Sequence, residues 1–274
     1  MIDSHCHFDF SVFDAQREVI LQDCAAVGVT GIIIPGIHPQ QWRPLLQLVA
    51  QLQSSAEAPL CQVWPALGLH PWWLAELTSQ AGAAVTEQLF KQQLAAQLRQ
   101  PSVVAVGECG LDGSLSLSLT EQIPHFEWQV QLATDHRLPL ILHGHKAHHE
   151  VLRLLSHYRP PAGGVIHAFS GSVELAQQYW RLGFYLGVGG TITYERASKT
   201  RGTIRSMPLD SLLLETDAPD MPLSGWQGQP NSPLRLPQVA ACLAELKQVP
   251  VAEIRRQTEL NTRRLFALDT AAAG

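Results

Sequence analysis

The sequence predicts an α/β fold, a (β/α)8 barrel spanning residues 1–274 as one domain. Short β-branched or apolar runs alternate with longer amphipathic segments, the pattern of parallel strands joined by helical crossovers. The strands number eight, at which such a sheet closes on itself. Histidines and acidic residues recur at the carboxyl ends of these strands, where barrels of this kind carry their chemistry.

The first strand, residues 1–7, reads MIDSHCH. In extended backbone alternate side chains share a face, so His5 and His7 point together while Cys6 turns away. Segment 16–27 follows as a helix, with Val19, Ile20, Cys24 and Val27 on one stripe and Gly28 as its stop. Strand two is the apolar run 31–35, and the helix after it covers 39–52. Strand three, 61–69, runs into GLHP with His70 and is followed by helix 83–98. Strand four, 103–107, opens onto VGECGLD with Glu108 and Asp112, before helix 120–135. Strand five, 139–143, ends in LILHGH with His143 and His145, and helix 147–157 follows. Strand six, 163–167, brings His167 in GVIHAFSG, before helix 172–182. Strand seven is 184–188 with helix 197–206, and strand eight, 212–215, leads into LLLETDAP with Glu215, Thr216 and Asp217. The Pro/Gly-rich stretch APDMPLSGWQGQPNSP reads as a long active-face loop, and helices at 234–246 and 251–266 end the barrel. An open doubly wound sheet is the competing fold; it more often carries a Gly-x-Gly-x-x-Gly turn after its first strand, where HCHFDF stands here.

Composition narrows the function classes. With 46% hydrophobic and 16% charged residues the chain has the material for a large core, which argues against disorder. A formal net charge of -5 provides no general field for a polyanion, so any nucleic-acid contact must be local. Cys6, Cys24, Cys61, Cys109 and Cys242 are scattered, odd in number and never spaced Cys-x-x-Cys, which suggests neither a disulfide framework nor a zinc knuckle and suits a reducing compartment. Apolar runs fall short of the ~20 residues that span a bilayer, and no leader-like segment precedes the first strand. The expectation is a cytoplasmic protein with no membrane partner and no obligate protein partner.

Buried carboxylates and imidazoles without partners cost stability, so the convergence of His5, His7, Glu108, His143, His167 and Asp217 asks for compensating cations. The set suits two divalent ions with Glu108 between them; such ions lie ~3.5–4 Å apart and polarise a shared water. Histidines favour zinc, carboxylates and phosphate substrates accommodate magnesium or manganese, and the sequence leaves the choice open. The bland alternative, each histidine capping a strand end by hydrogen bonding, serves one position better than it serves the set.

The ordered segments HCHFD, GECGLD, LH at the fifth strand, HAFSG and ETDAP resemble the signatures of the TatD-type metal-dependent hydrolases, within the amidohydrolase-like barrels, over nearly the whole chain. That resemblance implies that His5, His7, Glu108 and Asp217 hold one ion and Glu108, His143 and His167 the other. It also implies phosphodiester hydrolysis in DNA, at single-stranded or frayed 3′ ends, with Asp217 helping to deprotonate the water that attacks phosphorus. One position departs from the family: the arginine usual two residues after the fifth-strand histidine is His145 here, beside Lys146. A histidine neither clamps phosphate bidentately nor always carries charge.

Further candidates each have two readings. His70 either donates to a phosphate oxygen or the attacking water, or caps its own loop. Trp72, Trp73 and Trp226 either stack unpaired bases or pack as apolar lids. Arg196, Lys199, Arg201 and Arg205 either draw a strand toward the barrel or form a solvated helix face. Asn231 reads as a turn former, Cys109 as facing away from the metals, and His38, His125, His136, His148, His149 and His157 as surface residues. Hydrolysis of a small-molecule ester, lactone or amide is the alternative to DNA cleavage, and a scaffold with a vestigial site would have lost a ligand.

Overall fold

The computed structural model describes residues 1–54, 61–81 and 83–268. Its strands are β1 (Ile2–Asp3), β2 (Gly31–Gly36), β3 (Gln62–Leu67), β4 (Ala105–Asp112), β5 (Leu140–His145), β6 (Gly164–Ile166), β7 (Phe184–Val188) and β8 (Leu212–Leu214). Helices α1 (Arg17–Ala26), α2 (Pro39–Ser54), α3 (Leu74–Ala81), α4 (Ala83–Gln97), α5 (Leu119–His136), α6 (His148–Tyr158), α7 (Val173–Arg181) and α8 (Ser198–Ser206) lie between them, and α9 (Leu236–Lys247) and α10 (Val251–Phe266) follow. The eight strands are all parallel and neighbour one another in chain order from β1 to β8. The ring meets at a seam where Ser4 N donates to Leu214 O at 2.9 Å and Asp217 N to His5 O at 2.9 Å. Asp3 reinforces this seam, accepting from Thr216 N at 3.0 Å and Thr216 Oγ1 at 2.6 Å.

Strand alternation explains where the site forms. Ile2, Ile33, Ala66, Ala105, Ile141, Val165, Tyr185 and Leu213, one residue from each strand, make an apolar layer inside the barrel, and Leu265, Phe266 and Leu268 pack against it. Their strand neighbours face outward into the larger core under the helices. Two residues beyond the inner layer the same parity brings in His143, His167 and Glu215, and four beyond it His70, His145 and Asp217. Glu108 has the wrong parity for Ala105. Here Val106 pairs with Leu140 but Cys109 with Leu142, so three residues of β4 advance against two of β5. This bulge turns Glu108 inward and sends Cys109 and Leu111 out into the helical core, fully buried. Gly107 permits it, since a Cβ there would stand 2.6 Å from Ile141 Cβ.

Helix α5 links fold to site. Ser118 and Glu121 form a capping box at its start. One turn in, Gln122 Oε1 accepts from Asp112 N while its Nε2 donates to Asp112 O, both at 2.8 Å. Gln129 grips Leu69 in the same manner, at 2.7 and 3.1 Å. Two buried amides thus set the backbone beside His70 and at Asp112.

Several expectations need correction. The first strand ends at Asp3, so His5 and His7 lie in irregular chain beyond it, where His5 N turns to Asp3 Oδ1 and Phe8 N back to Cys6 O in place of ladder bonds. The fourth strand runs through Asp112, so Glu108 lies within it. Helix α3 lies between the third strand and the predicted helix 83–98, a stretch to which the sequence pattern assigns no element. In α1 only Ile20 and Cys24 are buried, whereas Val19 and Val27 are 55% and 40% exposed. His125 is buried on α5 and His148 half-buried against Tyr179, its Nδ1 2.9 Å from the phenol oxygen, so neither is a surface residue.

Candidate metal centre

At the carboxyl end of the barrel Glu108 stands at the centre of the cluster, with each carboxylate oxygen serving one side. Its Oε2 lies 3.2 Å from His5 Nε2 and 3.7 Å from His7 Nε2. Asp217 Oδ1 completes that side, 3.4 Å from His5 Nε2 and 3.6 Å from His7 Nε2, and the two imidazole nitrogens are 3.3 Å apart. On the other side Glu108 Oε1 lies 2.7 Å from His167 Nε2 and 3.3 Å from both His143 Nδ1 and His70 Nε2. His143 Nδ1 and His167 Nε2 are 3.3 Å apart.

The spacings on the His5 and His7 side fit a divalent ion, whereas His167 and Glu108, 2.7 Å apart, stand at hydrogen-bond distance. Nitrogen and oxygen ligands at about 2.0–2.2 Å from zinc, arranged tetrahedrally, stand about 3.3–3.6 Å from one another. Five of the six separations among His5, His7, Glu108 and Asp217 run from 3.2 to 3.7 Å. Among the described residues the compatible triads are His5, His7 and Glu108; His70, Glu108 and His143; and His5, His167 and Asp217.

Hydrogen bonds select the atom that His143 and His70 offer. His143 Nε2 lies 3.1 Å from Asp112 Oδ2, so in the neutral ring Nε2 carries the proton and Nδ1 presents its lone pair to the cluster. Asp112 is itself tied by Ser114 N at 2.8 Å, Ser114 Oγ at 2.6 Å and Trp72 Nε1 at 3.1 Å. Burial works against its charge, but these bonds hold its carboxyl well below the usual range. His70 has the opposite polarity: its Nδ1 accepts from Trp72 N at 3.2 Å, leaving Nε2–H as a donor toward Glu108. That assignment makes His70 a proton-bearing neighbour of the cluster in preference to a ligand.

Charge in the cluster is arranged for a cation. Burial pushes His5 down to about 3 and His70 to about 4, so both rings are neutral at pH 7. For His167 burial pulls downward, but Glu108, then Asp217 and Glu215, lift it to about 10. Glu108 is raised by burial yet held well below the carboxylate range by His167, His70, His5 and His143. Burial drives Asp217 well above it, against the pull of His167. Asp217, His167 and Glu108 would hold a divalent ion in their deprotonated forms, the ion's charge standing in for the protons on Asp217 and His167.

The cluster floors a cleft of about 640 Å³ walled by Phe10, Trp72, His145, Ser170 and Asp220 among others. The structure brings His5, His7, His70, Glu108, His143, His167 and Asp217 together, and sets Trp72, 55% exposed, and His145 in the cleft wall or rim. Lys146, Arg196 and Lys199 are exposed and not among the residues lining the cleft; the Arg196 guanidinium lies 4.7 Å over the Tyr194 ring. Trp226 packs beneath Arg235, 4.0 Å from its ring centroid. Asn231 spans the last loop, donating to Thr216 O at 2.8 Å and Met221 O at 3.2 Å. Asp3 and Glu215 are buried acids beside the cluster to which the sequence pattern assigns no role. Glu215 Oε1 accepts from Ala168 N at 2.5 Å, beside His167. Burial holds Glu215 and Asp3 up to about 7 each. Their place in runs of strand-end polar residues was the available signal.

A parallel eight-stranded barrel with a carboxylate-centred histidine and aspartate cluster at this end has the architecture of the metal-dependent barrel hydrolases. The chain belongs to the TatD family: the family model described as TatD related DNase matches residues 2–267, and the protein is a metal-dependent hydrolase of that family. It is 44% identical to the uncharacterized metal-dependent hydrolase YjjV of Escherichia coli K12, over 97% of each chain. The crystal structure of YjjV, described as a TatD homolog, superposes with a TM-score of 0.86 at 41% identity, covering 97% of this chain and 98% of that one. The 3′-5′ ssDNA/RNA exonuclease TatD of Erwinia billingiae is 30% identical over 98% of this chain and 99% of its own. Among the described residues no helix is long and apolar enough to cross a membrane.

Proposed function

We propose that the protein is a divalent-metal-dependent phosphodiesterase that trims single-stranded or frayed 3′ ends of DNA. The observation that carries this reading is the division of Glu108, one oxygen toward His5 and His7 and the other toward His143 and His167. In this reading His5, His7, Glu108 and Asp217 hold one ion, and Glu108, His143 through Nδ1, and His167 hold the second; zinc, magnesium or manganese fits the donors. The ions supply Lewis acidity toward phosphate and water when bound. Asp217 takes the proton of the attacking water, and His70 donates from Nε2 to an oxygen of the phosphate. Trp72 offers an exposed ring at the cleft for an unpaired base. Support for a nucleic acid substrate comes from the exonuclease relative. The cysteines, all free, suit the cytoplasm.

One observation favours a second reading, hydrolysis of a small-molecule ester, lactone or amide. No lysine or arginine is among the residues lining the cleft, and His145 stands where the family's arginine was expected. The test is digestion of 3′-labelled and 5′-labelled single-stranded oligonucleotides with each metal, by wild type and Glu108→Ala. Cleavage by wild type alone supports the nuclease, and the two labels give its direction. An intact oligonucleotide with metal-loaded wild type transfers the site to the small-molecule reading.

A further inference from the structure

Beside the metal cleft lies a second cavity, of about 400 Å³, that the chemistry above does not use. Phe10 and Ile37 line both, so the two share a wall. The 3-10 turn Pro71–Trp73 divides its indoles between them, Trp72 to the cleft and Trp73 to the side cavity. Phe10 is stacked on the His7 ring with centroids 4.8 Å apart, which places the shared wall against the cluster itself.

The side cavity has the chemistry of a flat, uncharged ligand. The rings of His38 and Trp73 meet nearly edge-on, 5.1 Å apart. His38 Nδ1 accepts from Gln40 N at 3.1 Å, leaving Nε2–H as its donor, and burial lowers the pKa of His38, favouring the neutral ring. Gln41 is held rigid, its Oε1 accepting from Ile37 N at 2.7 Å and its Nε2 bonded to Asp9. Gln40, exposed at the rim, carries an amide donor and acceptor. The indole N–H of Trp73 is buried with no hydrogen-bond partner among the described residues. The lining holds an acidic Glu76 and no lysine or arginine, which disfavours a phosphate there. The hollow is open to solvent on one side, which suits a flat group laid against its wall.

We infer that this cavity seats one unpaired nucleobase of a strand whose scissile phosphate lies at the metal cluster, with Trp73 as its stacking surface and His38 and Gln40 meeting its edge. The inference rests on the nuclease reading and adds to it a base subsite one wall away from the reacting bond.

The test uses the manganese-loaded full chain and a 5′-labelled single-stranded oligonucleotide in which one abasic residue is walked through the first four positions from the 3′ end. The rate of the first cleavage is read. Wild type is expected to slow about tenfold at one position, the scale of a lost base–aromatic stack. Trp73→Ala is expected to be about tenfold slower on the intact strand and insensitive to the abasic residue at that same position, the signature of two changes deleting one contact. Gln40→Ala, at an exposed residue, reduces the same positional sensitivity and covers the case in which Trp73→Ala does not fold. Bis(p-nitrophenyl) phosphate, a diester without bases, is turned over equally by all folded forms. Wild type indifferent to every abasic position, or variants as sensitive as wild type, overturns the subsite and leaves the nuclease standing. Wild type that hydrolyses bis(p-nitrophenyl) phosphate but no oligonucleotide overturns the nuclease reading and the subsite with it.

Discussion

Substituting Asp112 by asparagine tests whether an outer hydrogen bond decides which nitrogen His143 presents. The carboxylate receives four bonds, from Ser114 N and Oγ on Oδ1 and from His143 Nε2 and Trp72 Nε1 on Oδ2. Asparagine keeps the Oδ1 acceptor for Ser114 but places an NH2 group against two N–H donors. His143 then gains by moving its proton to Nδ1, the atom 3.3 Å from Glu108 Oε1, and ceases to be a ligand. Loss of such a partner costs metal affinity or activity about 10–100-fold, or about 1.4–2.7 kcal/mol at 1.36 kcal/mol per tenfold. The assay is initial hydrolysis of bis(p-nitrophenyl) phosphate against manganese concentration, with metal content measured after gel filtration. The variant is expected to need at least tenfold more manganese for half-maximal rate and to retain fewer ions per chain than wild type, one against two if the proposed two-ion site holds. A midpoint within twofold of wild type and an unchanged metal content would refute the tautomer argument.

Three other outcomes follow from the structure. Manganese at about 100 times its Kd should stabilise the folded chain by about 2.7 kcal/mol, which at about 2–4 °C per kcal/mol raises Tm by about 5–11 °C; melting with and without a chelator shows it, and coincident curves count against the site. Gly187→Ala introduces a Cβ 2.1 Å from Glu215 Oε2, an atom that is buried, so urea unfolding should report a loss of about 1–3 kcal/mol. Burial lowers Lys247 to about 8, below the unfolded value of about 10.5. The unfolded chain therefore binds the extra proton between these pH values, and this group's contribution to stability rises with pH across that window; in Lys247→Met the rise from pH 8 to pH 10 should be shallower.

The barrel and most of the cluster were legible because they depend on period. His143 and His167 follow Ile141 and Val165 by two residues on apolar strands, so alternation alone points them inward. Glu108 was chosen for its residue type and motif, but its inward direction depends on an extra residue in β4, and a bulge leaves no periodic trace in one sequence. The His70 and His143 roles diverge through bonds to Trp72 N and Asp112, contacts that exist only after the loops are folded. His125 was misplaced for a related reason: a histidine on an amphipathic helix reads as exposed, whereas α5 is buried over much of its length beside β4. The basic run after β7 was legible as charge and not as position, and Arg196 turns onto Tyr194.

The apolar layer beneath the ligands, with Leu265, Phe266 and Leu268 packed against it, makes the barrel a cul-de-sac. Arrival and departure share one mouth, so each product must clear before the next substrate settles. A polymer can offer its tip or bow across the rim, but it cannot be drawn through as through a ring. For the strand end proposed as substrate, entry and exit would therefore be through the same opening, with the scissile bond at its floor.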